Sequence, residues 1–212
     1  MPHTSSSAEQ LDHIKKMMER SSRFVSLSGL SGIGAGICAL AGAWLAGRRI
    51  DCRINGDCNL ERLIYNGGNE LANDLLLIAV VTFIAAFASA FLFTWLRSKK
   101  QNVALLGGTT ARLFWNTAIP IIAGGIFLFR MMQLGIYELV APGCLIFYGV
   151  ALVNASKYTL REIRFLGYGT MLLGIINVWF LGYGLLFWVI GFGLLHIIYG
   201  VWMWWKYERN NG

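Results

Sequence analysis

The chain has 212 residues, of which 56 % are hydrophobic and 14 % charged, and its 18 Lys and Arg against 11 Asp and Glu give a net charge of +7. That balance excludes an ordinary water-soluble globule, in which about a quarter of the residues are charged. Six mostly apolar stretches of about 20 residues, the length that crosses a hydrocarbon core, use most of the chain and leave no room for a separate soluble domain.

The expected fold is therefore an all-α membrane protein: a six-transmembrane-helix bundle preceded by a short amphipathic N-terminal helix. Residues 1–23 form the first unit. Ser7 is a fitting N-cap with Gln10 three residues on, and Leu11, Ile14, Met18 and Val25 recur at helical spacing among Lys15, Lys16, Arg20 and Arg23. Such a basic amphipathic helix lies on the inner membrane surface.

A single transmembrane domain, residues 24–205, follows. Its spans cover about 24–46, 72–96, 113–134, 137–155, 160–181 and 183–205, and residues 206–212 form a tail. The first span carries Ser28, Gly32 and Gly36 at every fourth position, a stripe of small residues along which a second helix can approach closely. Ala41-Gly42-Ala43 resembles a signal cleavage site, but the preceding basic region is long and the run is rich in Ser and Gly, so the segment reads as an uncleaved span.

Residues 48–59, RRIDCRINGDCN, come next. On an oxidising outer face Cys52 and Cys58 can form a disulfide, with Asn55-Gly56 as the turn between them. A calcium loop starting at Asp51 would need ligands where Arg53 and Arg62 stand, so no metal site is expected. Asn69 is a fitting N-cap for the second span, with Glu70 and Asp74 beside its positive end. Pro120 predicts a kink in the third span and Pro142 marks the start of the fourth. Arg130 and Glu138 flank the intervening turn and could pair at the outer interface. In the last hairpin Gly184 and Gly191, and likewise Gly193 and Gly200, are seven apart, so each pair falls on one stripe. The short connection there makes spans five and six antiparallel neighbours. Aromatic residues and cations close the chain as an interfacial belt.

Basic residues in short loops mark the cytoplasmic side. With six spans both termini share a side, and that side collects Lys15, Lys16, Arg20, Arg23, Arg97, Lys99, Lys100, Arg112, Lys157, Arg161, Arg164, Lys206 and Arg209. Arg48, Arg49, Arg53, Arg62 and Arg130 fall opposite. Both termini are expected in the cytoplasm, in a bacterial-type inner membrane. The positive charge then reads as topology plus attraction to the anionic headgroups of membrane lipids, not as nucleic-acid binding.

No Asp, Glu or Lys stands near the centre of a span, which argues against a proton-driven carrier. Ser26, Ser28, Ser31, Asn116, Thr117, Asn154 and Ser156 all fall in the cytoplasmic half of their spans, where they either pack helices together or line a polar vestibule. His196 is the one span histidine, too few for a bis-histidine haem. Met171 or Met203 is only a formal second ligand, and no cofactor is expected.

GLSG at residues 29–32 and HIIYG at 196–200 resemble local features of rhomboid intramembrane serine proteases. The resemblance implies a catalytic dyad of Ser31 and His196, at depths of about 10 and 15 Å from the inner face. In that family the serine lies on the fourth span, whereas Ser31 is on the first, and four residues cover almost none of the chain. The leading expectation is a non-catalytic membrane component that either passes a small solute or serves as a scaffold or partner subunit, beside a membrane-protein partner or in a homo-oligomer. The alternative is the serine protease-like enzyme.

Overall fold

The computed structural model describes residues 28–55, 70–100, 108–207 and 209. The amphipathic helix expected over residues 1–23, and Cys58 with the disulfide it would make to Cys52, lie outside the described residues.

Every regular element among the described residues is helical. They are α1 (Gly29–Asn55), α2 (Glu70–Lys100), α3 (Gly108–Gln133), α4 (Val140–Ala155), α5 (Glu162–Trp179) and α6 (Gly184–Tyr207). Five helical stretches are long and apolar enough to cross a membrane: Gly29–Asp51, Leu71–Lys100, Gly108–Gln133, Tyr137–Ala155 and Gly184–Tyr207. The remaining helix, α5, has 18 residues and opens on the charged pair Glu162 and Arg164.

Several ends differ from the apolar runs. Helix α1 continues past its expected end near residue 46 to Asn55, because nothing between Gly47 and Asn55 breaks a helix. Arg48, Arg49 and Asp51 thus project from a helix, not a loop, and the Arg48 guanidinium sits 4.9 Å from the Trp44 ring centre one turn back. Helix α3 runs through Pro120. Arg130 donates to Gln133 Oε1 at 3.1 Å, within its own last turn, and not to Glu138 across the turn. Gly135 (φ +78°) and Gly182 (φ +92°) turn the chain before α4 and α6 in a left-handed conformation that a Cβ disfavours. Pro142 stands in the first turn of α4, where no N–H is needed.

The helices pack as a row. Helix α2 lies along α1, α1 along α6, α6 against α4 and α5, and α3 along the far side of α4. Sequence neighbours are antiparallel. Ser89 and Phe93 of α2 face Gly34 while Arg49 meets Asp74 at 3.7 Å nearer the other end, and in the α4–α5 pair Gly149 opposes Gly167 while Gly174 opposes Pro142. Helices α1 and α6 are also antiparallel, with Gly29 at Trp204, Gly36 at Gly193 and Gly47 at Leu185. Helix α6 runs parallel to α4, Gly184 lying over Ala141 and Gly191 over Leu145.

Glycine makes the closest of these approaches. A Cβ on Gly149 would stand 2.7 Å from the Gly167 carbonyl oxygen, and one on Gly32 would stand 3.2 Å from the His196 carbonyl oxygen. Backbones can touch in this way only where side chains are missing, which is how helices gain van der Waals contact when lipid provides no hydrophobic drive. The two seven-residue glycine pairs of α6 serve different partners: Gly184 and Gly191 face α4, and Gly193 and Gly200 face α1. Helix α6 thereby joins the α1–α2 hairpin to the α3–α4–α5 group.

Candidate functional site at the contact of α4 and α6

The apolar interior holds one polar link between these helices. His196 is 5 % exposed, and its Nδ1 lies 2.9 Å from the Gly191 carbonyl oxygen while its Nε2 lies 2.8 Å from the Tyr148 hydroxyl. A carbonyl can only accept, so Nδ1 carries the proton. In the neutral ring Nε2 is then an acceptor, and Tyr148 donates to it.

The local helix explains this geometry. Over Val189–Leu194 α6 widens into a π turn, and the Leu195 N–H reaches the Ile190 carbonyl five residues back. In a regular α-helix Gly191 and His196, five apart, would point about 140° from one another. The wider turn brings them toward one side, so that the ring reaches its own helix's carbonyl and α4 together. Aromatic rings enclose the link: Tyr148 and Phe192 centre 5.1 Å apart, Tyr148 and His196 5.4 Å, and Trp188 and Phe192 4.5 Å.

Ser31 is buried, and its Oγ donates to the Ser28 carbonyl at 2.5 Å. Helix α1 does meet α6 at this level, since Gly32 lies against the His196 carbonyl. The His196 ring, however, is engaged with α4 and Gly191, so Ser31 and His196 are not joined by a hydrogen bond.

The other polar candidates divide between separate contacts. Ser28 and Ser31 belong to α1 on its α6 side. Asn116 and Thr117 belong to α3, where each donates to a carbonyl of its own helix, Arg112 and Leu113 respectively, at 2.8 Å. A longer contact of 3.5 Å joins Asn116 to the Tyr158 hydroxyl beyond α4. Asn154, on α4, is half-buried. Ser156, just after it, donates to the Val153 carbonyl at 2.6 Å and accepts from Arg164 Nε at 3.3 Å.

A second polar link closes the end of the row at which α6 finishes. Glu162 Oε1 in the first turn of α5 receives Lys206 Nζ at 2.6 Å and the Tyr207 hydroxyl at 2.8 Å, both from the last turn of α6. Each charge also suits its helix end, the carboxylate at an N-terminus and the ammonium at a C-terminus. Cysteines 38 and 144 are free thiols. Among the described residues no three His, Cys, Asp or Glu side chains converge to hold a metal ion.

Sequence reasoning singled out His196 but not its partner Tyr148, which sits in the apolar run LIFYGV. The usable signal was chemical: a histidine inside lipid needs a polar partner on a neighbouring helix. The chain matches no protein-family model, no curated protein and no solved structure.

Proposed function

We propose that the chain is a non-catalytic, six-span scaffold or partner subunit of a bacterial-type inner membrane, with both termini cytoplasmic. The observation that carries this reading is the way the helix contacts are closed. Gly32 and Gly36 abut carbonyls of α6, Gly149 and Gly167 abut each other's carbonyls, and Ser31, Asn116 and Thr117 donate to their own helices. Close glycine contacts hold the helices together, and polar side chains satisfied by their own backbone have no need of water along a solute path. Catalysis is disfavoured on the same grounds, because a nucleophilic serine needs its hydroxyl on a base.

The crossing number rests on α5, which lies antiparallel along α4 from Gly167 to Gly174 and is too short to do more than cross once. Orientation is supported by charge. Arg97, Lys99, Lys100, Arg112, Lys157, Arg161, Arg164, Lys206 and Arg209 gather at one end of the row, and among the described side chains Arg48, Arg49 and Arg130 stand at the other. Lipid headgroups at the basic end, and a second membrane protein or a second copy along the outer helices, are the partners this reading implies. Large apolar side chains such as Leu77, Ile84 and Phe87 on α2 and Trp115, Ile119 and Ile126 on α3 face outward.

The test is water access. Asn116→Cys and Asn154→Cys, each in a chain whose own cysteines are replaced, should resist a membrane-impermeant maleimide from both sides. Rapid labelling of either would favour solute passage.

A further inference from the structure

Helix α6 is occupied on one side by α1 and on another by α4 and α5, and a further face is open. Ile198, Val201, Trp202 and Trp205 fall at i, i+3, i+4 and i+7, a single helix face, and all four are exposed. With Lys206 they line an apolar hollow on the flank of the helix. The same face continues to Arg209, whose backbone N–H bonds the Trp204 carbonyl at 3.2 Å and whose guanidinium lies 5.3 Å from the Trp205 ring centre. The hollow is thus lined by apolar side chains and Lys206, and Arg209 lies beyond it next to Trp205.

Resting on the membrane-embedded reading above, we propose that this face binds one anionic phospholipid, an acyl chain lying along Ile198, Val201 and Trp202 and the phosphate at Arg209. The order of chemistry along the face matches the order in a lipid leaflet, with hydrocarbon first, an indole at the boundary and then a headgroup anion. Lys206 is committed to Glu162 at 2.6 Å. Among the described residues at this end of α6, Arg209 is therefore the cation assigned to the phosphate, whose oxygens the guanidinium fork suits. Lys99 provides an internal comparison: it lies 5.7 Å from the Trp95 ring at the end of α2, also an aromatic and a cation one turn apart.

The experiment is native mass spectrometry of the full chain released from vesicles of equal parts phosphatidylglycerol and phosphatidylcholine. The expected result is retention of phosphatidylglycerol over phosphatidylcholine by about fivefold, the size one interfacial cation supplies. Arg209→Gln, and separately Val201→Trp or Ile198→Trp, which fill the hollow without altering charge, should bring that ratio close to one, while Lys99→Gln should leave it unchanged. A wild-type ratio near one, a ratio untouched by both Arg209→Gln and the filling variants, or an equal fall in Lys99→Gln would overturn the proposal. Release of the chain from membranes by alkaline carbonate would instead show that the membrane-embedded reading itself had failed.

Discussion

Tyr148 and His196 meet at 2.8 Å across two parallel helices, and the same imidazole holds the Gly191 carbonyl at 2.9 Å. One ring therefore fixes both the pairing of α4 with α6 and the wide turn inside α6. Because α6 also carries the α1–α2 hairpin, this link lies where the two parts of the molecule join.

Removing the hydroxyl tests that link with little change of shape. Tyr148→Phe leaves His196 Nε2 buried without a donor and should cost about 0.5–2 kcal/mol, the range found for polar contacts between membrane helices. Reversible unfolding in mixed micelles titrated with dodecyl sulfate measures it. A cycle adding His196→Gln should give a coupling energy distinct from zero, and strict additivity would mean that the two residues do not act together.

The glycine contacts give a sharper contrast. A Cβ on Gly200 would stand 2.7 Å from the Ile33 backbone nitrogen and 2.8 Å from the Gly29 carbonyl oxygen, whereas one on Gly125 meets nothing within 4 Å. Backbone cannot yield as a side-chain tip can, so Gly200→Ala should destabilise by about 1–3 kcal/mol through overpacking. Gly125→Ala should be neutral or stabilising by up to about 1 kcal/mol, since it only reduces the freedom of the unfolded helix. The same micelle titration reports both, and equal costs would refute the α1–α6 contact.

The clasp of Glu162 with Lys206 and Tyr207 is partly solvated, the Lys206 side chain being 50 % exposed. Its stabilising effect is correspondingly small. Glu162→Gln should cost about 1 kcal/mol or less, and the difference from wild type should shrink in high salt. Thermal denaturation at low and high ionic strength measures this, and a salt-independent loss would point to packing instead of charge.

Much of the fold was legible because membrane helices announce themselves through length and apolarity. Stripes of small residues on α1 and α6 marked close contact, and Gly32, Gly36, Gly193 and Gly200 do lie at the crossing of the two helices. What the pattern hid was local. The π turn at Val189–Leu194 has the same composition as an ordinary helix, so nothing in its letters moves His196 from one side to the other. Counting depth at a fixed rise levels Ser31 with His196, yet depth does not say which way a ring faces. The helical course of α1 to Asn55 was obscured for a different reason: charge was read as loop, although Arg and Asp are readily accommodated in a helix that has left the hydrocarbon.

Helix α5 bears most directly on the proposed six-span architecture, because its 18 residues begin with charge and, among the described residues, it lies outside the five stretches apolar enough to cross a membrane. The direct measurement is impermeant maleimide labelling of Lys157→Cys and Leu181→Cys, at the two ends of α5, in sealed right-side-out and inverted vesicles from a chain lacking its own cysteines. The account predicts opposite sides, with residue 157 reached only from the cytoplasm and residue 181 only from outside. Labelling of both positions from one side would contradict it.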